Sequence, residues 1–126
     1  MNQKILVVDD SSLIRTLLRR MFEQSGDSIT EAEDGTAATS CLESMTPDLA
    51  MVDLLMPGLD GFGLIAWMRK QPRFEKTPIV AMSSLQDDGS REKALQAGAT
   101  LFLAKPISPK EIWLVLAKLG FIGPDG

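Results

Sequence analysis

The chain has 126 residues, 44% of them hydrophobic, with a formal net charge of −4, one cysteine and no histidine. That length makes one domain, large enough to bury roughly two-thirds of its unfolded surface without disulfides or a structural metal. The acidic balance argues against a nucleic-acid grip built on clustered Lys and Arg, the lone Cys41 excludes an internal disulfide and fits a reducing cytoplasm, and the missing imidazole excludes His/Cys zinc sites and histidine-based triads.

The start, Met1-Asn2-Gln3-Lys4, does not read as a signal peptide, and no apolar stretch is long enough to span a membrane. Ile5-Leu6-Val7-Val8 is a continuous apolar run that predicts a strand covered on both faces, as in parallel sheets. Asp9-Asp10-Ser11-Ser12 ends it and supplies helix caps. Ile14, Leu17, Leu18 and Met21 then recur at helical spacing, which predicts an amphipathic helix to about Gln24. Gly26-Asp27 is a turn, and Ser28 to Ala32 a more polar second strand suited to a sheet edge. Asp34-Gly35 opens a second helix with Ala38, Cys41, Leu42 and Met45 on one face, closed by Thr46-Pro47.

Leu49-Ala50-Met51-Val52 is a third strand running into Asp53. Met56-Pro57-Gly58 and Asp60-Gly61 make a loop before a third helix lined by Leu64, Ile65 and Met68. A connection beginning at Pro72 leads to Pro78-Ile79-Val80-Ala81-Met82, the fourth strand, followed by Ser83. A polar fourth helix begins at Asp87-Asp88-Gly89-Ser90 and stops at Gly98. Thr100 to Ala104 is the fifth strand, then Lys105-Pro106, and a fifth helix starts near Ser108-Pro109. Five βα units in strict alternation predict an α/β fold, a parallel sheet doubly wound by helices through right-handed crossovers. The domain is expected over residues 1–120, with 121–126 a C-terminal tail or the start of a linker.

The polar residues fall at strand ends. Asp9 and Asp10 follow the first strand, Asp53 the third, Ser83 the fourth and Lys105 the fifth. Ligands of open α/β sheets bind outside the carboxyl ends of the strands, so these five residues are expected to converge. Three carboxylates brought together repel one another unless a cation offsets them, and oxygen-only ligands select a hard ion such as Mg²⁺. A carboxylate beside such an ion can act as nucleophile and form an aspartyl phosphate. Ser83 can donate a hydrogen bond to a phosphoryl oxygen, and Lys105 can set its ammonium against the same group.

These signals, with Met56-Pro57-Gly58, Asp60-Gly61 and Ala97-Gly98-Ala99 in the same order, resemble the receiver domains of two-component response regulators, of the chemotaxis-regulator kind, across nearly the whole chain. The resemblance implies a flavodoxin-like (βα)5 fold with strand order 2-1-3-4-5. It implies Asp53 as phosphoacceptor, Asp10 as a direct Mg²⁺ ligand, Asp9 nearby through water, and the Leu55 backbone carbonyl as a further ligand. It implies Ser83 as the switch hydroxyl, Lys105 as the phosphate-pairing lysine, Phe102 as the aromatic that swings inward, and a cis bond between Lys105 and Pro106. The implied donor is a phosphohistidine on a sensor histidine kinase or histidine phosphotransfer protein. The implied output is altered binding of a downstream protein or output domain, with no direct nucleic acid and no membrane. Such a domain is no turnover enzyme: it catalyses only its own aspartyl phosphorylation and dephosphorylation.

Four positions carry two readings each. Phe102 lacks a phenolic hydroxyl, so it is either core or a switch that works by burial alone. Leu55 and Leu85, two residues past Asp53 and Ser83, either misplace the water that attacks the phosphoryl group, slowing its loss, or merely cover core. The fifth helix is apolar around most of its circumference, so Trp113 either anchors a partner or homodimer on a face of helix 4, strand 5 and helix 5, or packs under the C-terminal tail. Two rivals to the whole reading stand beside it. Haloacid-dehalogenase-type phosphatases use a strand-end aspartate with a second acid two residues on, where this chain has Leu55. The other rival is a receiver-like interaction module that is never phosphorylated.

Overall fold

Strands that are apolar at every position can be stable only if helices cover both faces of their sheet, and that is how the chain is arranged. The computed structural model describes residues 3–24, 26–56, 58–84 and 88–121. Among them run β1 (Lys4–Val8), α1 (Ser12–Glu23), β2 (Ser28–Ala32), α2 (Gly35–Leu42), β3 (Leu49–Asp53), α3 (Gly61–Arg69), β4 (Ile79–Ser83), α4 (Asp88–Ala97), β5 (Leu101–Ala104) and α5 (Pro109–Lys118). All pairings are parallel, in the order β2-β1-β3-β4-β5. This is the doubly wound, flavodoxin-like arrangement expected. No helix of the described residues is long and apolar enough to cross a membrane.

Alternation along each strand divides the core in two. Leu6, Val8, Ala50, Val52, Ile79 and Ala81 face the layer of α2, α3 and α4 with Leu42, Leu64, Ile65, Met68 and Ala94. Ile5, Val7, Leu49, Met51, Val80 and Met82 face α1 and α5 with Leu18, Phe22, Ile112, Val115 and Leu116. β2 lies at one edge and is only partly buried, which is why its sequence is more polar.

The structure departs from the sequence reading at several element ends, and three departures have a visible cause. β4 includes Ser83, because its carbonyl still accepts the Lys105 N–H of the β5 segment at 2.8 Å. α2 ends at Leu42 rather than at Thr46-Pro47; there the Ser44 N–H and hydroxyl both bond the Cys41 carbonyl and tighten the last turn. The connection after α3 contains a 3-10 turn, Pro72–Phe74, that buries Phe74 fully beneath Trp67. A lone apolar residue in a charged stretch has no periodicity to reveal it. Pro57, Leu85, Asp87 and residues 122–126 of the expected tail lie outside the described residues.

Candidate active site

The register lines up the strand tips. Val8 pairs with Val52, so Asp9 and Asp53 follow as neighbours; Asp53 pairs with Met82, Ser83 with Ala104, and Lys105 comes next. The Asp9 N–H extends the β1–β2 ladder to the Ala32 carbonyl at 3.1 Å, which holds Asp9 in the sheet, fully buried. The chain then turns, and Ser11 rather than either aspartate caps α1, accepting the Ile14 N–H at 3.3 Å. The Asp9 carboxylate is thereby left for the site: Oδ1 takes the Ser11 N–H at 2.9 Å and Oδ2 the Lys105 ammonium at 2.8 Å. Behind Asp53, α3 begins directly against the strand end. Asp60 caps it through the Gly63 N–H at 2.8 Å, and a side chain on Gly61 would run into the Asp53 carbonyl and the Leu54 Cα.

Asp9, Asp10 and Asp53 each offer an oxygen within 4.8 Å of the others, two of them buried and Asp10 exposed. Lys105 Nζ also lies 3.4 Å from Asp53 Oδ1. Burial, and then the charge of Asp9, push the Asp53 carboxyl up to about 6, against the opposing pull of Lys105 and the Leu55 N–H. Burial works against the Lys105 ammonium, yet its bond to Asp9 and the two carboxylate charges outweigh that and hold its pKa above the ordinary value. A divalent cation fits this donor set: all oxygen, net negative, and open to solvent on the Asp10 side. Ser83 is fully buried at the end of β4, one step along the sheet from Asp53. The five predicted strand-end residues thus come to one place, and the Lys105–Pro106 peptide is cis.

Leu55 stands at the site but is 47% exposed, so it covers no core. Phe102 is half-buried on β5. It packs against the core under α2, α3 and α4 and lines a groove of about 330 Å³ with Arg91, Leu95, Leu103 and Leu114. Trp113 is half-buried in the opposite layer, packed against the core under α1 and α5; in the groove the exposed apolar residue of α5 is Leu114. Sequence reasoning did not single out Arg15, whose Nη1 donates to the Asp9 carbonyl at 2.7 Å, or Glu31, which receives Arg15 at 3.1 Å and Arg19 at 2.6 Å. An arginine on an amphipathic helix reads as solvated surface, and no local signal says otherwise.

Residues 5–117 match the family model described as the response regulator receiver domain. An uncharacterized 14.6 kDa protein of Leptolyngbya boryana is 40% identical over 108 residues, 86% of this chain and 82% of that protein. A chemotaxis response regulator of Vibrio cholerae superposes with a TM-score of 0.89 at 27% identity, over 94% of this chain and 99% of that one. The receiver domain of a Pseudomonas aeruginosa sensor histidine kinase, whose structure holds a magnesium ion in the active site cleft, gives a TM-score of 0.84 at 31% identity, over 94% and 97%. The chain spans only 42–49% of the length of the transcriptional regulators it also matches.

Proposed function

Because this chain belongs to the response regulator receiver domain family, we propose that it is a phosphorylation-driven switch in which Asp53 accepts the phosphoryl group. Members of the family work with a cognate histidine kinase or phosphotransfer protein. An Asp53 carboxylate oxygen attacks the phosphorus of a phosphohistidine. The P–N bond breaks, its electron pair stays with the imidazole, which takes a proton from solvent, and Asp53 keeps the group as an acyl phosphate. The same bond is later hydrolysed by water, so the chemistry is confined to the protein's own side chain.

In this reading Lys105 pairs the added charge and the Ser83 hydroxyl donates a hydrogen bond to it. Asp9, Asp10, Asp53 and the Leu55 carbonyl are the groups that would hold Mg²⁺, which when bound neutralises charge on the phosphoryl oxygens. The observation that carries this reading is the Lys105 ammonium between two buried carboxylates, 2.8 Å from Asp9 and 3.4 Å from Asp53. The new charge on Asp53 draws Ser83 and Lys105, and through them β4 and β5, so that Phe102 moves and the α4-β5-α5 face changes its affinity for a downstream protein, an output domain or a second copy. Residues 1–120 are the receiver in this reading and 121–126 a tail or linker start, supported by the family match over 5–117. A cytoplasmic setting is supported by the free Cys41.

Incubation with magnesium chloride and acetyl phosphate, followed by intact-mass measurement, tests the proposal. Wild type should gain one phosphoryl group and Asp53→Asn none. Sustained acetyl phosphate consumption without a covalent product would point to a hydrolase instead, and no reaction at all to a silent binding module.

A further inference from the structure

The Asp9–Asp10 peptide is the point where the sheet stops and the acidic loop begins. Asp9 is held at four atoms. Its N–H donates to the Ala32 carbonyl, its carbonyl accepts from Arg15 Nη1 at 2.7 Å, and its two carboxylate oxygens accept from Ser11 and Lys105. The Arg15 contact is distinctive because it holds the carbonyl. A peptide is planar, so the direction of the Asp9 carbonyl sets the direction in which the Asp10 Cα leaves. Asp10 is the exposed member of the acid cluster, and its placement depends on that plane.

Arg15 does not act alone. Its Nε donates to Glu31 Oε1 at 3.1 Å, and Glu31 Oε2 receives Arg19 Nε at 2.6 Å. Glu31 is fixed on β2 opposite Val7. Two arginines one helical turn apart thus grip both oxygens of one carboxylate, which fixes the Arg15 fork and leaves one edge of it to meet the Asp9 carbonyl. The Arg15 side chain is 17% exposed, so it is no freely solvated surface arginine.

We propose that Arg15, oriented by Glu31, is a positioning residue for the divalent-cation site, holding the Asp9–Asp10 peptide so that Asp10 faces Asp53. The inference rests on the reading of the acid cluster as a cation site. Electrostatics and positioning predict opposite signs here. A guanidinium near three carboxylates repels an incoming cation, so charge alone makes its removal tighten Mg²⁺ binding. Loss of an outer partner that orients a ligand weakens metal binding, by roughly tenfold or more.

Titration calorimetry of the whole chain with magnesium chloride separates the two, with melting in chelator to confirm that each variant is folded. Arg15→Met should bind Mg²⁺ about tenfold more weakly than wild type. Arg15→Lys, which can still donate to the Asp9 carbonyl but cannot also bridge to Glu31, should fall between them. Glu31→Gln should weaken binding in the same direction by a smaller factor. Unchanged or tighter binding by folded Arg15→Met overturns the proposal; if that variant does not fold, wild-type affinity in both Arg15→Lys and Glu31→Gln overturns it. A wild type that binds no Mg²⁺ removes the cation-site reading together with this inference, whereas binding shared equally by wild type and Arg15→Met removes the inference alone.

Discussion

Asp53 is 3% exposed, and without a cation its charge is disfavoured by burial first and by Asp9 second. The proton is therefore held more tightly in the folded protein, up to about 6, than in the unfolded chain, near 3.8. An acid raised in this way contributes stability that is fully present below its unfolded pKa and is lost as pH rises through the folded one. Metal-free wild type should thus lose on the order of 2 kcal/mol from this group between pH 4 and pH 7.5. Asp53→Asn has no such titration. Its melting temperature in chelator should exceed that of wild type by a few degrees at pH 7.5 and match it near pH 4, and Mg²⁺ should narrow the gap at pH 7.5 by stabilising wild type only. Equal pH dependence in the two proteins would contradict the account. Lys105 keeps its partner in the variant, since its shorter contact is to Asp9.

The start of α3 is the element on which the position of Asp53 most depends. Asp60 caps the helix and Gly61 lets its first turn lie against the backbone of Asp53 and Leu54. The two residues make different predictions. Asp60→Ala removes one cap hydrogen bond on an exposed helix end, which costs about 1 kcal/mol and leaves the strand tip in place. Gly61→Ala inserts a methyl where backbone already is, so helix and strand must separate, at a cost of about 2 kcal/mol or more. Chemical denaturation should rank Gly61→Ala well below Asp60→Ala, and only Gly61→Ala should slow phosphorylation by acetyl phosphate beyond what its lost stability explains. A second element, the turn at Pro72–Phe74, is tied down by Arg69, which donates to the carbonyls of Phe74 and Gly98 at 2.7 and 2.8 Å and so joins α3 to the end of α4.

Across the whole molecule, the strand tips and the groove beside α4 and α5 share one strand. β5 is the edge opposite β2 and is half-buried along its length, with Lys105 at its end and Phe102 in its middle. Any pull on Lys105 therefore reaches the groove through a strand paired on one side only. The two apolar residues Trp113 and Leu114, adjacent in sequence, fall on different sides of α5, which separates stability from association. Trp113→Ala should cost about 2 kcal/mol by removing its packing against the core under α1 and α5. Leu114→Ala should change stability by no more than about 0.5 kcal/mol. If the α4-β5-α5 face carries the output, Leu114→Ala should weaken phosphorylation-dependent self-association or partner capture, measured by sedimentation with and without acetyl phosphate. Loss of association in Trp113→Ala alone, with Leu114→Ala unaffected, would move the interface elsewhere.

Much was legible because the strands are short, apolar at every position and bounded by turn residues. A run such as Ile5-Leu6-Val7-Val8 that stops at two aspartates marks both a buried strand and the place where polar chemistry leaves it. The alternation of elements, the helix starts at Asp34-Gly35 and Ser108-Pro109, and the convergence of Asp9, Asp10, Asp53, Ser83 and Lys105 follow from such local patterns and the chirality of parallel crossovers. The hydrogen-bond partners of long side chains do not. Arg15 reaching the Asp9 carbonyl, Arg69 bridging to Gly98, Phe74 buried in a charged stretch and Trp113 turned away from the groove depend on where separately formed elements settle against one another. Periodicity records which face of an element is apolar, whereas the distance between two flexible polar groups is decided only when the layers pack.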